Sequence, residues 1–178
     1  MLSMTAMLLW LGPRPELGDA VRSTPFWIKA GYTFLIGTAG LFAIERLGRP
    51  AATAGTSVAV VSATLAILAI AAAIEIAVAP SAARNALWWG NSYSACPLNI
   101  LALSLPLLVA ALVALKQLAP TRFTSAGAAA GLMAGGYGAC IYSLHCTEYG
   151  LPFLATWYTL GVLLVVALGM LLSDFLHW

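Results

Sequence analysis

Residues 56–79 read TSVAVVSATLAILAIAAAIEIAVA, an aliphatic run closed by Pro80 in which Glu75 is the single ionisable side chain. As a helix this run is about 36 Å long, enough to cross a hydrocarbon core of about 30 Å. It predicts a transmembrane helix, and the rest of the chain has the same character. Of the 178 residues, 62% are hydrophobic and 8% charged, against roughly 25% charged in a soluble globular domain. Mean hydropathy is +0.94. A water-soluble surface cannot be built from that composition, so the expected fold is an all-α, polytopic transmembrane bundle over residues 1–178 with no soluble domain of its own.

The same reading on either side of this run gives the other spans. Residues 26–44 form one, stopped by Glu45-Arg46-Leu47-Gly48-Arg49-Pro50. After a polar, aromatic connection over 81–95, a span is expected over 97–115, followed by a short loop, 116–125, that contains Pro120. Residues 127–143 are rich in Gly and Ala, a composition suited to close backbone approach between membrane helices, and form the next span. The last covers 152–172, with Trp157 and Tyr158 near one end and Trp178 beyond the other, in keeping with aromatic residues at the two water interfaces. Met1–Leu11 is apolar but gives only about 16 Å of helix. It lacks the basic start and cleavage site of a signal peptide and reads as the second half of a span. Five full spans and an N-terminal half span are therefore expected.

Charge gives no orientation. Arg14, Arg22, Lys29 and Arg84 fall on one side, Arg46, Arg49, Lys116 and Arg122 on the other, an even division under the positive-inside rule. Net charge is +2 with no Lys/Arg run, so the electrostatic footprint of direct nucleic-acid binding is missing. GxxxxGK[ST], HExxH and GxSxG are all absent from the sequence, and no enzyme activity is called for.

A few residues stand out against this background. Glu75, near the end of its span, reads either as a carboxylate reaching toward headgroups or Arg84, or as an intramembrane proton or ligand site. Tyr142-Ser143-Leu144-His145-Cys146-Thr147-Glu148 gathers imidazole, thiol and carboxylate where a span leaves the membrane. These are soft and borderline metal ligands. Cys96 opens its span on the same side, because two crossings separate it from Cys146, so the two thiols can meet. Each is either a small buried hydrophobe or half of a reactive or metal-binding pair. Cys140, about a turn and a half deeper, suits packing. The segment Leu87–Pro97, LWWGNSYSACP, reads as an interfacial aromatic belt or as a cap over the thiols.

Together, SACPLNI at 94–100, LAPT at 118–121, GAAAG at 127–131, YSLHCTE at 142–148, and Pro152-Phe153 with Trp157-Tyr158 resemble, in order and spacing, the NrsF-like integral-membrane anti-sigma factors. The likeness covers essentially the whole chain. It implies a six-helix protein of the bacterial inner membrane that binds an extracytoplasmic-function sigma factor at the cytoplasmic face and releases it under stress at the other face. It also implies an upstream cytoplasmic segment and the beginning of a first helix, of which Met1–Leu11 would be the continuation. The family's two periplasmic cysteines, implicated in the response to metal or oxidative stress, fall on Cys96 and Cys146. Loops carrying Arg46, Arg49, Lys116 and Arg122 would then face the cytoplasm and the sigma factor. Two routes of sensing follow: a disulfide, or a soft metal ion held by Cys96, Cys146, His145 and Glu148. A quinone-linked thiol oxidoreductase is a rival reading but normally needs a CxxC motif, which is absent here; a small transporter built on Glu75 is another.

Overall fold

The computed structural model describes residues 2–49, 53–118 and 120–176, and their regular structure is helical. In chain order the elements are α1 (Leu2–Leu11), α2 (Leu17–Ala20), α3 (Thr24–Leu47), α4 (Gly55–Val78), α5 (Ser81–Trp89), α6 (Cys96–Gln117), α7 (Phe123–Tyr142) and α8 (Leu151–Asp174). Four of them, α3, α4, α6 and α8, are long and apolar enough to cross a membrane, and α1 is a shorter apolar helix. The spans expected at 26–44, 56–79, 97–115 and 152–172 thus correspond to observed helices, with ends moved by a few residues. The Gly/Ala-rich segment expected at 127–143 is a helix of 20 residues, less apolar than the other four. The connection over 81–95 needs correction, because its first half is the short helix α5. Trp178 lies outside the described residues.

Local chemistry explains where the helices begin. Pro25, Pro97 and Pro152 each sit in the first turn of a long helix, where the missing N–H costs nothing and the fixed φ suits the helix. Those three starts share one end of the bundle with the end of α4: Glu75 accepts a hydrogen bond from the Leu151 N–H at 2.8 Å, Lys29 of α3 donates to the carbonyls of Cys146 and Glu148, and Cys96 of α6 is buried in one cluster with Cys146 and Phe153. Leu47, Ala54 and Arg122 line a common cavity at the opposite end. The long helices therefore alternate in direction.

α7 is the hub, packed on α3, α6 and α8. Its small residues permit this: a Cβ at Gly136 would collide with the Gly37 backbone of α3, one at Gly127 with the Gly169 carbonyl of α8, and one at Gly138 with Ser104 of α6. Two apolar cores result. One holds Ile100, Leu103, Tyr142 and Tyr158 near the cysteines; the other holds Leu108, Leu112, Ala130 and Val165 toward the far end. By contrast, α4 buries only Ser57, Leu68 and Ala72. Its aliphatic outer face suits lipid, which is as apolar as the side chains it meets.

Candidate functional site

The site is assembled from three irregular segments held by buried polar groups. The chain leaves α7 at Tyr142 and runs without regular structure through residues 146–150 before α8. Such backbone needs partners if it is buried, and α3 supplies one. Lys29, fully buried inside the apolar α3, donates from Nζ to the carbonyls of Cys146 at 2.8 Å and Glu148 at 2.7 Å. Its ammonium also stands 5.4 Å from the Tyr149 ring centre and 5.5 Å from that of Tyr158, within cation–π range. Arg14, from the segment after α1, approaches the same place, with Nη1 3.4 Å from the Cys146 carbonyl and its guanidinium over Phe26 and Tyr149.

Cys96 and Cys146 are both buried, at 0% and 3% exposure, and belong to one apolar cluster with Tyr142, Phe153 and Tyr158. Both carry free thiols, as does the half-buried Cys140, whose Sγ lies 3.8 Å from the Ala30 carbonyl. The structure thus brings the two predicted sensing cysteines into one core and leaves Cys140 against α3.

The aromatic segment after α5 closes the site. Glu148 Oε1 accepts from the Asn91 N–H at 2.7 Å, and the Trp157 indole donates to the Trp88 carbonyl at 3.0 Å. Trp89, Tyr93 and Trp157 pack edge-to-face or tilted, with centroids 5.3–5.5 Å apart. Gly90 is required where the segment turns: its φ is +55°, and a Cβ there would stand 2.8 Å from Glu148.

The expected metal set is not assembled. His145 directs Nδ1 to the Gly12 carbonyl at 2.9 Å, and Glu148 is engaged with Asn91. Among the described residues, no three His, Cys, Asp or Glu side chains are placed to hold a metal ion. The soft-metal expectation at Cys96, Cys146, His145 and Glu148 gains no support from this arrangement. Glu75 caps the start of α8 by accepting from the Leu151 N–H, while Arg84 donates to the Ala79 carbonyl.

Sequence reading missed Lys29 and Arg14 as parts of the site, having counted both only as charges on one side of the membrane. A signal was available for Lys29, because a cation five residues into an apolar span is costly and marks a partnered position. Nothing local marks Arg14.

Arg46, Arg49 and Arg122 are exposed and Lys116 half-buried, all at the end opposite the thiols. Arg46 and Lys116 occupy the last turns of α3 and α6, and Arg122 precedes α7. Cations suit the helix C-terminal positions.

Comparison with known proteins agrees with the resemblance read from the motifs. The family described as "NrsF: Negative regulator of sigma F" matches residues 1–178. The chain is similar to the "Probable anti-sigma-F factor NrsF" of Azospira oryzae, 42% identical over 174 residues that make up 97% of this chain and 81% of the relative. It is similar also to the "Anti-sigma-F factor NrsF" of Caulobacter vibrioides, 41% identical over 168 residues, 94% of this chain and 78% of the relative. No solved structure matches. A bundle of apolar helices around a buried cysteine core, matched along its whole length, belongs to the NrsF family of membrane anti-sigma factors.

Proposed function

We propose that this chain is the membrane sensor of a bacterial inner-membrane anti-sigma factor. It holds an extracytoplasmic-function sigma factor at the end bearing Arg46, Arg49, Lys116 and Arg122, and responds to periplasmic stress at Cys96 and Cys146. In this reading α7 is a fifth crossing, shielded from lipid by α3, α6 and α8, which explains how it tolerates a less apolar composition. The observation that carries the proposal is the Lys29 contact. The backbone of the cysteine segment is bonded to α3, and α3 ends at Arg46 and Leu47 on the far side. A displacement of Cys146 therefore pulls on the helix that presents Arg46.

Oxidation is the route that requires only the two thiols: a two-electron oxidant accepts their electrons, two protons leave, and an S–S bond forms once the sulfurs come within bonding geometry. Metal binding would first require His145 to leave Gly12 and Glu148 to leave Asn91. Either event works by differential stability, and must favour one helix arrangement by a few kcal/mol to move most of the population.

The test is to replace Cys96 and Cys146 by Ser, singly and together, and to measure sigma-dependent transcription with and without peroxide, dichromate or cadmium. Loss of induction in each single variant is expected. Full induction in the double variant would end the thiol-sensor reading.

A further inference from the structure

A cavity of about 390 Å³ opens beside the cysteine segment, lined by Pro13, Arg14, Ser92, His145, Cys146 and Thr147 among others. Its electrostatics are unbalanced. Arg14 is 96% buried, yet its Nε and Nη2 have no hydrogen-bond partner, and the buried Ser92 hydroxyl has none either. The one polar contact of the guanidinium is the long Nη1 bond to the Cys146 carbonyl, at 3.4 Å. Lys29, the second buried cation bonded to this segment, is satisfied by carbonyls alone. Glu148, the carboxylate of this segment, spends Oε1 on the Asn91 N–H. A guanidinium withdrawn from water without an acceptor carries a large desolvation cost, and its planar fork matches oxygens set about one centre.

We propose that this cavity is a binding site for a tetrahedral oxyanion of the sulfate or phosphate type. Arg14 donates from Nε and Nη2, and Ser92 supplies a hydroxyl donor from the wall formed by the segment after α5. The anion restores the charge balance that the protein's own carboxylates leave open, and the volume accommodates such an ion with part of its hydration. Two sources present the same chemistry, a free anion or the phosphate of a lipid headgroup, and both can reach an end of the bundle. This site is independent of whether the thiols sense anything.

The test is equilibrium dialysis of the purified full chain in a non-ionic detergent against radiolabelled sulfate, with competition by inorganic phosphate and by a short-chain phosphatidic acid. Saturable uptake of one sulfate per chain is expected. Arg14→Gln should weaken it by about tenfold or more, the value of a charge-assisted hydrogen bond. Ser92→Ala should weaken it by about threefold, the value of a neutral one. Stronger displacement by the lipid than by phosphate assigns the site to a headgroup, and the reverse order to a free anion. Absence of saturable sulfate uptake by the unaltered chain overturns the proposal, as does uptake unchanged in Arg14→Gln. Should Arg14→Gln fail to fold, Ser92→Ala decides: the residue is half-buried and its buried hydroxyl bonds to nothing in the protein, so a fall in affinity supports the site and unchanged affinity overturns it.

Discussion

Lys29 ties the cysteine segment to α3. An ammonium inside an apolar helix costs about 2.5–3.5 kcal/mol at the membrane centre and less toward an end such as this one, and it persists here because two carbonyls and two aromatic rings replace its water. Those carbonyls belong to Cys146 and Glu148, in backbone with no helical partners of its own, so each side of the contact satisfies the other. Replacing Lys29 with Met keeps the length and apolar stem but leaves the Glu148 carbonyl without its Lys29 donor and the Cys146 carbonyl with only the long Arg14 bond. A loss of about 2 kcal/mol or more is expected, read as a lower midpoint in unfolding of the detergent-solubilised protein, with faster alkylation of Cys146 as the segment loosens. Lys29→Arg, which keeps the charge and several donors, should lose less. An unaltered midpoint and alkylation rate in Lys29→Met would show that α3 does not hold the cysteine segment.

Among the helices, small residues decide what touches what. The Gly/Ala pattern over 127–143 was readable as a surface for close approach, and the structure bears this out in the contacts of Gly127, Gly131, Gly136 and Gly138. Which helix each glycine faces was not readable, because periodicity marks a stripe and carries no identity for its partner. The same limit hid the role of Glu75: its carboxylate reads locally as an intramembrane charge, while its partner, the Leu151 N–H, is supplied by a helix far along the chain. Two expectations follow. Gly136→Leu, like Gly40→Leu beside the Met133 backbone, should separate α3 from α7 and abolish a monodisperse folded peak on size exclusion. Gly31→Ala, at a helical position with open space around it, should be neutral or stabilise by about 0.5–1 kcal/mol. If Gly136→Leu unfolds at the midpoint of the unaltered protein, the close α3–α7 crossing is wrong. For Glu75, Gln retains a carbonyl acceptor and should preserve stability, whereas Ala should cost about 1–2 kcal/mol by uncapping α8.

For the whole molecule, the question is how an event at one end reaches the other. From Lys29 to Arg46, α3 is an uninterrupted helix, about 25 Å long at 1.5 Å per residue, and α7 is packed along it through glycines that leave no slack. Tightly packed interfaces shift between discrete arrangements more readily than they deform. If the cysteine segment moves under stress as proposed, that movement should be expressed as a movement of α3 against α7, and Arg46 and Arg122 lie at the far ends of those two helices. The sequence showed both ends, the thiols through the SACP and HCTE motifs and the cations through charge clusters. The contact that links α3 to the cysteine segment was hidden, because Lys29 looks like one more charge near the end of a span until the fold brings residues 146 and 148 to it. If the cationic end holds the sigma factor, reversing Arg46, Arg49 and Arg122 to Glu should release it without any stress signal. Sigma-dependent transcription should become constitutively high at normal membrane levels of the protein. Adding Cys96→Ser and Cys146→Ser to that variant should not restore repression, because the charge change acts downstream of the thiols. Retained repression in the triple variant would move the sigma contact away from this end, whereas repression restored by the added Ser substitutions would place the cations upstream of the thiols.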